Sequence, residues 1–269
     1  MVRFKAGKGA DSLTNKRLGE IRKNKKRTPM KIIKYRNSKD IDIMFLDGFN
    51  YVKTHIAYEN FKNGSAVNPY DRTVYDIGYI GIGEHAIKIG NDKTPAYRVW
   101  HEMIARCYAE TQKEKCPTYY NIATVCEEWK CYQRFADWYE QEIYECNERL
   151  HLDKDILYPG NKVYSPYTCM LVPQRINSIF SNKSNKRKLP TGVKKLPNGY
   201  QAEYSGRKLG VFRTIEKAFD AYASEKEKTI QKIADEYKDI IPDKVYNALY
   251  EYRFDINDDK NYKIPKSRR

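Results

Sequence analysis

Residues capable of acid–base chemistry or metal binding are concentrated in residues 148–180, which read ERLHLDKDILYPGNKVYSPYTCMLVPQRINSIF. In this segment His151 is followed closely by two aspartates, Asp153 and Asp155, which flank Lys154. A lysine with its ordinary pKa of about 10.4 is protonated at neutral pH unless burial lowers that pKa strongly. Because the flanking carboxylates favour the charged form, we do not expect Lys154 to accept a proton.

The same segment resembles the HNH endonuclease motif, a ββα-metal fold found in phage homing enzymes. In that motif one ligand from a strand and one from a helix hold a divalent metal against the scissile phosphate, and a histidine takes a proton from the attacking water. The resemblance puts Asp153 at the strand ligand position and Asn177 at the helix ligand position. It implies Mg²⁺ or Mn²⁺ as the metal if the protein is active.

Two positions depart from the HNH pattern. Lys154 falls where the general-base histidine belongs, and Thr168 falls where the S-P-Y-T-C sequence calls for an asparagine that orients the histidine. Water activation as the family performs it therefore fails in this chain. Three substitutes stay open: His151 near the metal, Asp155 as a second ligand or base, and Asn161 as the orienting amide.

Each substitute also has a purely structural alternative. His151 suits a solvated strand end, and Asp155 suits an ion pair with Lys154. Asn161 follows Gly160, and this pair is typical of a turn. The sequence leaves these alternatives open.

Residues 191–223 predict three short strands packed on one helix. Tight turns at Pro197-Asn198-Gly199 and Ser205-Gly206 separate strands near 193–195, 200–204 and 207–212. Thr214 can cap a helix that runs from about 215 to 237, where Pro242 follows.

This C-terminal stretch resembles the AP2 domain of plant transcription factors and phage homing endonucleases. The resemblance rests on G-V, then G-Y-Q-A-E-Y, then L-G-V-F-x-T-x-E-x-A-x-x-A-Y. In that family the sheet lies in the major groove of DNA, which is about 12 Å wide. The resemblance implies DNA contacts from six residues: Lys194, Lys195, Tyr200, Gln201, Arg207 and Lys208.

Composition favours a nucleic-acid partner. Lys and Arg number 50 against 35 Asp and Glu, which gives a formal net charge of +15, and such an excess favours polyanions. No apolar run approaches the ~20 residues of a membrane span, so we expect an intracellular protein with no membrane partner. The resemblance to phage homing enzymes implies the cytoplasm of a phage-infected bacterium. The six cysteines form no CxxC pair, and we therefore expect no zinc.

The β pattern of the N-terminal half starts near Met30. Ile41, Ile43 and Phe45 alternate with polar residues, Asp47-Gly48 supplies a hairpin turn, and residues 75–83 form a second β-rich, glycine-containing stretch. The preceding residues are basic and almost without large apolar side chains, which predicts a disordered arm that tracks phosphates. The cations of this arm assigned to DNA are Arg22, Lys25, Lys26 and Arg27.

We therefore expect an α+β fold of several small modules that DNA organises relative to one another. The modules are a basic disordered arm (1–29), a β-barrel-like domain (30–90), central helices with a degenerate HNH-like ββα-metal unit (91–181), a basic linker (182–190), an AP2-like sheet with C-terminal helices (191–256) and a basic tail (257–269).

Three functional hypotheses follow. The first is a site-specific, metal-dependent DNA endonuclease or nickase of the HNH/AP2 homing class. The second is a catalytically inactive DNA-binding regulator. The third is a phage effector that acts on a host protein, for example a defence complex. The family context favours the enzyme, and the departures at Lys154 and Thr168 favour the inactive regulator.

Overall fold

The computed structural model describes residues 16–115, 119–180, 188–259 and 261–262. The fold is of the α+β class. The chain divides into two compact units, the first comprising Met1–Glu84 with Cys131–Gln133, and the second comprising His85–Lys130 with Arg134–Arg269. Among the described helices, none is long and apolar enough to cross a membrane.

The first unit is built on an open antiparallel sheet. Its four strands are neighbours in chain order: β1 (Ile21–Lys23), β2 (Pro29–Asn37), β3 (Asp40–Phe45) and β4 (Val52–Ile56). The predicted alternation is confirmed, since Ile41, Ile43 and Phe45 are buried in one core with Phe61 of the short helix α1 (Tyr58–Lys62). A hairpin joins β3 and β4 around Asp47 and Gly48.

Two expectations for this unit are wrong. The described strands form an open sheet and no closed barrel, so 30–90 is not barrel-like. Residues 75–83 carry no strand and contribute only isolated bridges, Val74 with Gly78 and Tyr79 with Cys131. The glycines there serve tight turns, because Gly81 has φ 79° and a Cβ at that position would lie 2.5 Å from the Cys131 sulfur.

The basic N-terminal segment is folded over residues 16–29. β1 pairs with β2 in antiparallel register, Ile21 opposite Lys31 and Lys23 opposite Pro29. Backbone hydrogen bonding to a neighbouring strand orders a segment that has little apolar surface of its own, which is why composition alone predicted disorder. Residues 1–15 of the predicted arm lie outside the described residues.

The second unit begins with a short ribbon and two helices. β5 (Lys88–Ile89) and β6 (Asp92–Lys93) precede α2 (Pro95–Tyr108), which has a proline in its first turn and Thr94 as the N-cap. α3 (Gln112–Lys115) follows, and α4 (Tyr132–Glu142) supplies an aromatic face, on which Phe135 and Trp138 pack against Trp129.

A ββα arrangement follows, as the sequence predicted for this region. β8 (Leu150–Asp153) pairs with β10 (Met170–Pro173), and α5 (Gln174–Phe180) starts where β10 ends. Between them, β9 (Val163–Tyr164) pairs in parallel with β7 (Thr124–Val125). Residues 181–187, which hold most of the predicted linker, lie outside the described residues.

The C-terminal part forms the predicted sheet and helices. The strands β11 (Val193–Leu196), β12 (Gly199–Tyr204) and β13 (Arg207–Phe212) form an antiparallel sheet in that order. The long helix α6 (Ile215–Glu236) is capped by Thr214, and α7 (Asp243–Glu251) follows Pro242. A 3₁₀ turn at Ile256–Asp258 extends the fold into the predicted tail.

The ββα unit and the C-terminal sheet are not independent modules. The first half of α6 packs Ala218, Phe219 and Tyr222 on the three-stranded sheet. Its second half packs Ile230 and Ala234 into another core. That core also contains residues of the ββα unit and of α7: Ile156, Met170, Val172, Ile176, Val245 and Leu249. One helix therefore fixes the two parts to each other without DNA.

Replacing Ile230 by alanine tests this shared core. The side chain is 1 % exposed, and we expect Ile230→Ala to lower the free energy of unfolding by about 2–5 kcal/mol, since it removes buried methyl groups and leaves a cavity. The matched control is Ile240→Ala, at a side chain that is 44 % exposed. Urea denaturation followed by tryptophan fluorescence measures both, and equal losses for the two variants would contradict the shared core.

Candidate functional site

The ββα unit brings His151 and Asn177 together. His151 lies in the middle of β8, opposite Val172 of β10, and Asn177 lies one turn into α5. The Asn177 Nδ2 atom is 3.2 Å from the His151 Nδ1 atom. The strand–helix pair of this unit is therefore histidine with asparagine, where the resemblance predicted Asp153 with Asn177.

Asp153 has a structural role at the end of β8. It is nearly buried, and its Oδ1 atom accepts hydrogen bonds from the backbone N–H groups of Asp155 and Ile156, both at 2.8 Å. Burial raises the pKa of this carboxyl, and the two N–H donors partly offset that effect. The carboxylate thus caps the turn that follows β8 through its Oδ1 atom, and its role as a metal ligand stays a prediction.

Lys154 is a buried cation that holds the following loop. Only 4 % of the residue is exposed, and its Nζ atom donates to the Asp155 carboxylate at 2.7 Å and to the Asn161 carbonyl at 2.6 Å. The ring of Tyr119 lies 5.1 Å from the ammonium group and that of Tyr164 lies 5.9 Å away. Lys154 is thus held by an ion pair with Asp155, by a backbone carbonyl and by two aromatic rings.

Asn161, the possible substitute for the orienting asparagine, and Thr168, which stands at the position of that asparagine, both bind the backbone of the loop. The Asn161 amide donates to the carbonyls of Lys154 and Val163 and accepts from the Val163 N–H, which fixes the turn after Gly160. The Thr168 hydroxyl donates to the Val163 carbonyl at 2.8 Å. Both side chains therefore stabilise the loop between β8 and β10.

Cationic side chains that the sequence did not indicate surround His151. A cavity of about 30 Å³ is lined by His151, Asn177, Arg106 of α2 and Arg149, with Glu102 nearby. Burial lowers the pKa of His151, Arg149 and Arg106 lower it further, and Glu102 and Gln174 oppose them more weakly. The imidazole is therefore neutral at pH 7. Its Nε2 atom is buried and meets no hydrogen-bond partner among the described residues.

This environment does not fit Mg²⁺ or Mn²⁺. Hard divalent cations require several oxygen ligands, mostly carboxylates, whereas the Asp153 carboxylate binds the backbone and Glu102 pairs with Arg149 at 2.8 Å. Two nearby guanidinium groups also repel a cation. The guanidinium groups themselves have partners, Arg149 in Glu102 and Arg106 in the Tyr164 hydroxyl.

A second place with potential metal ligands lies in the first unit. Among the described residues, one group of three potential ligands has its oxygen or nitrogen atoms within 4.8 Å of one another: Asp40, Asp42 and His55. Arg36 lies between the two carboxylates, with contacts of 2.8 Å to Asp40 and 2.6 Å to Asp42. The guanidinium group supplies the positive charge that a metal would supply, so this cluster is a structural ion-pair network.

The C-terminal sheet divides the six predicted DNA contacts between its two faces. Lys194 and Gln201 are opposite each other on β11 and β12, with Val211 of β13 opposite Gln201. Lys208 is opposite Glu203. Because alternate residues of a strand share a face, Lys194, Gln201 and Lys208 lie on the outer face, away from α6.

The other three predicted contacts lie on the helix side or at its edge. Tyr200 packs against the core between the sheet and α6, and the Nζ atom of Lys195 donates to its hydroxyl at 2.9 Å. Arg207 is 3.6 Å from Glu225 of α6. These three residues do not belong to the outer face of the sheet, and their DNA contacts stay a prediction.

Sequence reasoning missed Glu203 and Val211 on the outer face. The Lys194 ammonium is 2.5 Å from the Glu203 carboxylate, and Gln201 donates to the same carboxylate at 3.4 Å. Val211 is exposed. The predicted strand alternation could have found both residues. Glu203 lies two positions after Gln201 on the same strand, and Val211 lies opposite Gln201 on the next strand.

The four N-terminal cations occupy the β1–β2 hairpin. Arg22 lies in β1 and pairs with Glu20 at 2.8 Å. Lys25, Lys26 and Arg27 lie in the turn that joins β1 to β2, and all three are exposed. The cations assigned to a disordered arm are thus held on a folded element.

Comparison with protein-family models, with curated proteins and with solved structures finds no match to this chain.

The cap formed by Asp153 predicts a loss of stability on its removal. Asp153→Ala leaves two backbone N–H groups near the core without acceptors, and we expect the free energy of unfolding to fall by about 2–4 kcal/mol. Asp220→Ala, at an exposed position of α6, is the control and should change stability by less than about 0.5 kcal/mol. Thermal and urea denaturation provide the measurement, and wild-type stability of Asp153→Ala would show that the carboxylate is not a structural cap.

Proposed function

We propose that this protein binds double-stranded DNA through the outer face of its C-terminal sheet. The observation that carries the proposal is the placement of Lys194, Gln201 and Lys208 on one face of three adjacent strands. Neighbouring strands lie about 4.8 Å apart, so a three-stranded sheet fits within a major groove about 12 Å wide. The formal net charge of +15 supports a polyanionic partner.

The outer face carries different side chains for the phosphate backbone of DNA and for the edges of its bases. The ammonium groups of Lys194 and Lys208 suit phosphate oxygens, which fix position without reading sequence. Gln201 lies on the central strand β12 and is buried, and its amide donates to the Glu203 carboxylate and so supports that side chain. Glu203 holds Lys194 in place and offers a carboxylate that can accept from the amino group of cytosine.

The shared core strengthens this proposal. A sheet fixed to the ββα unit by α6 does not lose rotational freedom between the two parts on binding, and such preorganisation favours affinity. The exposed cation Arg149 and the neighbouring Arg106 belong to the same compact unit as the sheet. We propose that the ββα unit contributes contacts to DNA and does not cleave it.

The test compares two pairs of lysine substitutions. Lys194→Gln with Lys208→Gln removes two charges from the outer face, and Lys228→Gln with Lys232→Gln removes two exposed charges from α6. Binding to labelled DNA duplexes is measured by fluorescence anisotropy over a range of salt concentrations. We expect the sheet pair to reduce the slope of log affinity against log salt by about 2, and the helix pair to leave it unchanged.

Two results of this experiment would contradict the proposal. Equal slopes for the two pairs of variants would show that the sheet is not the interface. Absence of duplex affinity in the wild-type chain at physiological salt would exclude DNA as the partner and favour the host-protein hypothesis.

Metal-dependent cleavage is the second candidate, and the pair His151–Asn177 is the observation in its favour. Burial and two nearby arginines lower the pKa of the imidazole, which lines a small cavity with Asn177 and has a buried Nε2 atom. A neutral imidazole is able to accept a proton, although the residues around it do not fit the metal that the HNH family uses.

Sequencing of newly formed DNA ends tests the second candidate. The wild-type chain and His151→Ala are incubated with duplex DNA and Mg²⁺ or Mn²⁺, and we expect neither to produce new ends while both bind the duplex. New ends made by the wild-type chain and absent with His151→Ala would replace the binding proposal with a nuclease. His151→Ala is preferred to Asp153→Ala here, because the loss of the Asp153 cap affects folding.

A further inference from the structure

The tip of the β1–β2 hairpin presents three consecutive cations. Lys25, Lys26 and Arg27 form the turn between Asn24 and Thr28, and all three are exposed to solvent. The hairpin tip is defined here as residues 24–28. Consecutive residues are at most about 3.8 Å apart between Cα atoms, so three positive charges are confined to one short turn.

Buried polar groups fix the backbone of the hairpin tip. The Asn24 side chain accepts from the N–H groups of Lys26 and Thr28 at 3.0 and 2.9 Å. It donates to Asp71 at 2.7 Å, and the Thr28 hydroxyl donates to the same carboxylate at 2.5 Å. Asn24 and Asp71 are both buried. A satisfied buried network of this kind rigidifies the segment that it holds.

The loop after α1 anchors the tip from a second side. The Lys25 N–H donates to the Gly64 carbonyl at 2.9 Å. Gly64 has φ 71°, and a Cβ there would lie 2.9 Å from the Lys23 carbonyl oxygen. The close approach requires glycine, so the two loops are fitted to each other and the turn has one conformation.

Arg27 occupies a backbone conformation that favours glycine. Its φ is 69°, in the left-handed region where a side chain beyond glycine carries a steric cost. The Arg27 N–H donates to the Asn24 carbonyl at 2.8 Å, which holds the residue in that conformation. A cation kept at a strained turn position points to a requirement for its charge.

The charges of the tip are not neutralised within the described part of the chain. Among the described residues, no carboxylate forms an ion pair with the three cations of the tip, Lys25, Lys26 and Arg27. The same holds for Lys23, which precedes the tip. By contrast, Lys194 of the C-terminal sheet pairs with Glu203. The hairpin tip therefore presents unpaired positive charge on a rigid turn.

We propose that the hairpin tip is a preorganised binding site for the phosphate backbone of duplex DNA. It is a second contact, separate from the C-terminal sheet, and it rests on the proposed DNA-binding function. Duplex DNA carries one charge per about 1.7 Å of its axis, so three confined cations meet several phosphates. The fixed turn binds without the entropy loss that a disordered arm would suffer.

The chemistry of the tip favours DNA over the other polyanionic surfaces. Residues 24–28 read NKKRT and contain no apolar side chain that can enter a bilayer. Lysine is depleted in protein–protein interfaces. Lysines act on phosphate as point charges and do not read bases, so the contact is independent of DNA sequence.

The test removes the charges of the tip while keeping its backbone. The triple variant combines Lys25→Gln, Lys26→Gln and Arg27→Gly, since glycine accepts the left-handed conformation without steric cost. The control is Lys34→Gln with Lys39→Gln, at exposed lysines of the same sheet domain. Arg27→Gly alone should have a melting temperature equal to or above that of the wild-type chain, which separates charge loss from unfolding.

Anisotropy titrations of the full chain on two unrelated duplexes measure the effect of salt. With about 0.9 counterions released for each phosphate contact, we expect the triple variant to lower the salt slope by about 2.7 on both duplexes. Between 50 and 200 mM salt the wild-type chain then loses about 40-fold more affinity than the triple variant. The control variant keeps the wild-type slope.

The outcomes separate this inference from the proposed function. Wild-type binding to duplex DNA with an unchanged slope in the triple variant overturns the hairpin site and leaves DNA binding by the sheet intact. No wild-type binding to DNA overturns both. A slope change confined to one duplex sequence, to an RNA duplex or to anionic lipid vesicles overturns the inference, because it identifies base readout or another polyanion.

Discussion

The second unit depends on the burial of two different apolar segments of one helix. The first half of α6 packs on the three-stranded sheet through Phe219 and Tyr222, and the second half packs on the ββα unit through Ile230 and Ala234. A straight helix rises 1.5 Å per residue, so its 22 residues join two cores at a fixed separation and rotation. The sheet and the His151 surroundings are consequently parts of one rigid body.

Polar side chains of the ββα unit are used to build its loop. Lys154 is buried and bound by Asp155 and a carbonyl, and Asp153 accepts two backbone N–H groups. A buried lysine or carboxylate without such partners would be strongly destabilising, so these residues are constrained by folding. In this ββα unit, the positions that the resemblance singled out on β8 and in the following loop hold the backbone in place.

The two cationic surfaces of the protein differ in how their charge is arranged. On the C-terminal sheet, Lys194 is paired with Glu203 and lies beside Gln201, an arrangement suited to orientation and base contact. On the hairpin tip, Lys25, Lys26 and Arg27 meet no carboxylate of the described residues, an arrangement suited to phosphates alone. In the proposed complex the sheet reads the bases of DNA, and the hairpin tip binds its phosphates.

The sequence by itself determined the α+β class, the ββα order, the strands and turns of residues 193–212 and the long helix after Thr214. These features follow from local rules: side-chain periodicity, glycine and proline turns, and helix capping. Tertiary structure alone decided that Asn177 meets His151, that Arg106 approaches them from α2, and that Asp71 orders a segment whose composition predicted disorder. The reason is that these contacts join residues at least 26 positions apart in the chain. Burial and hydrogen bonding between such residues act through space and leave no local pattern in the sequence.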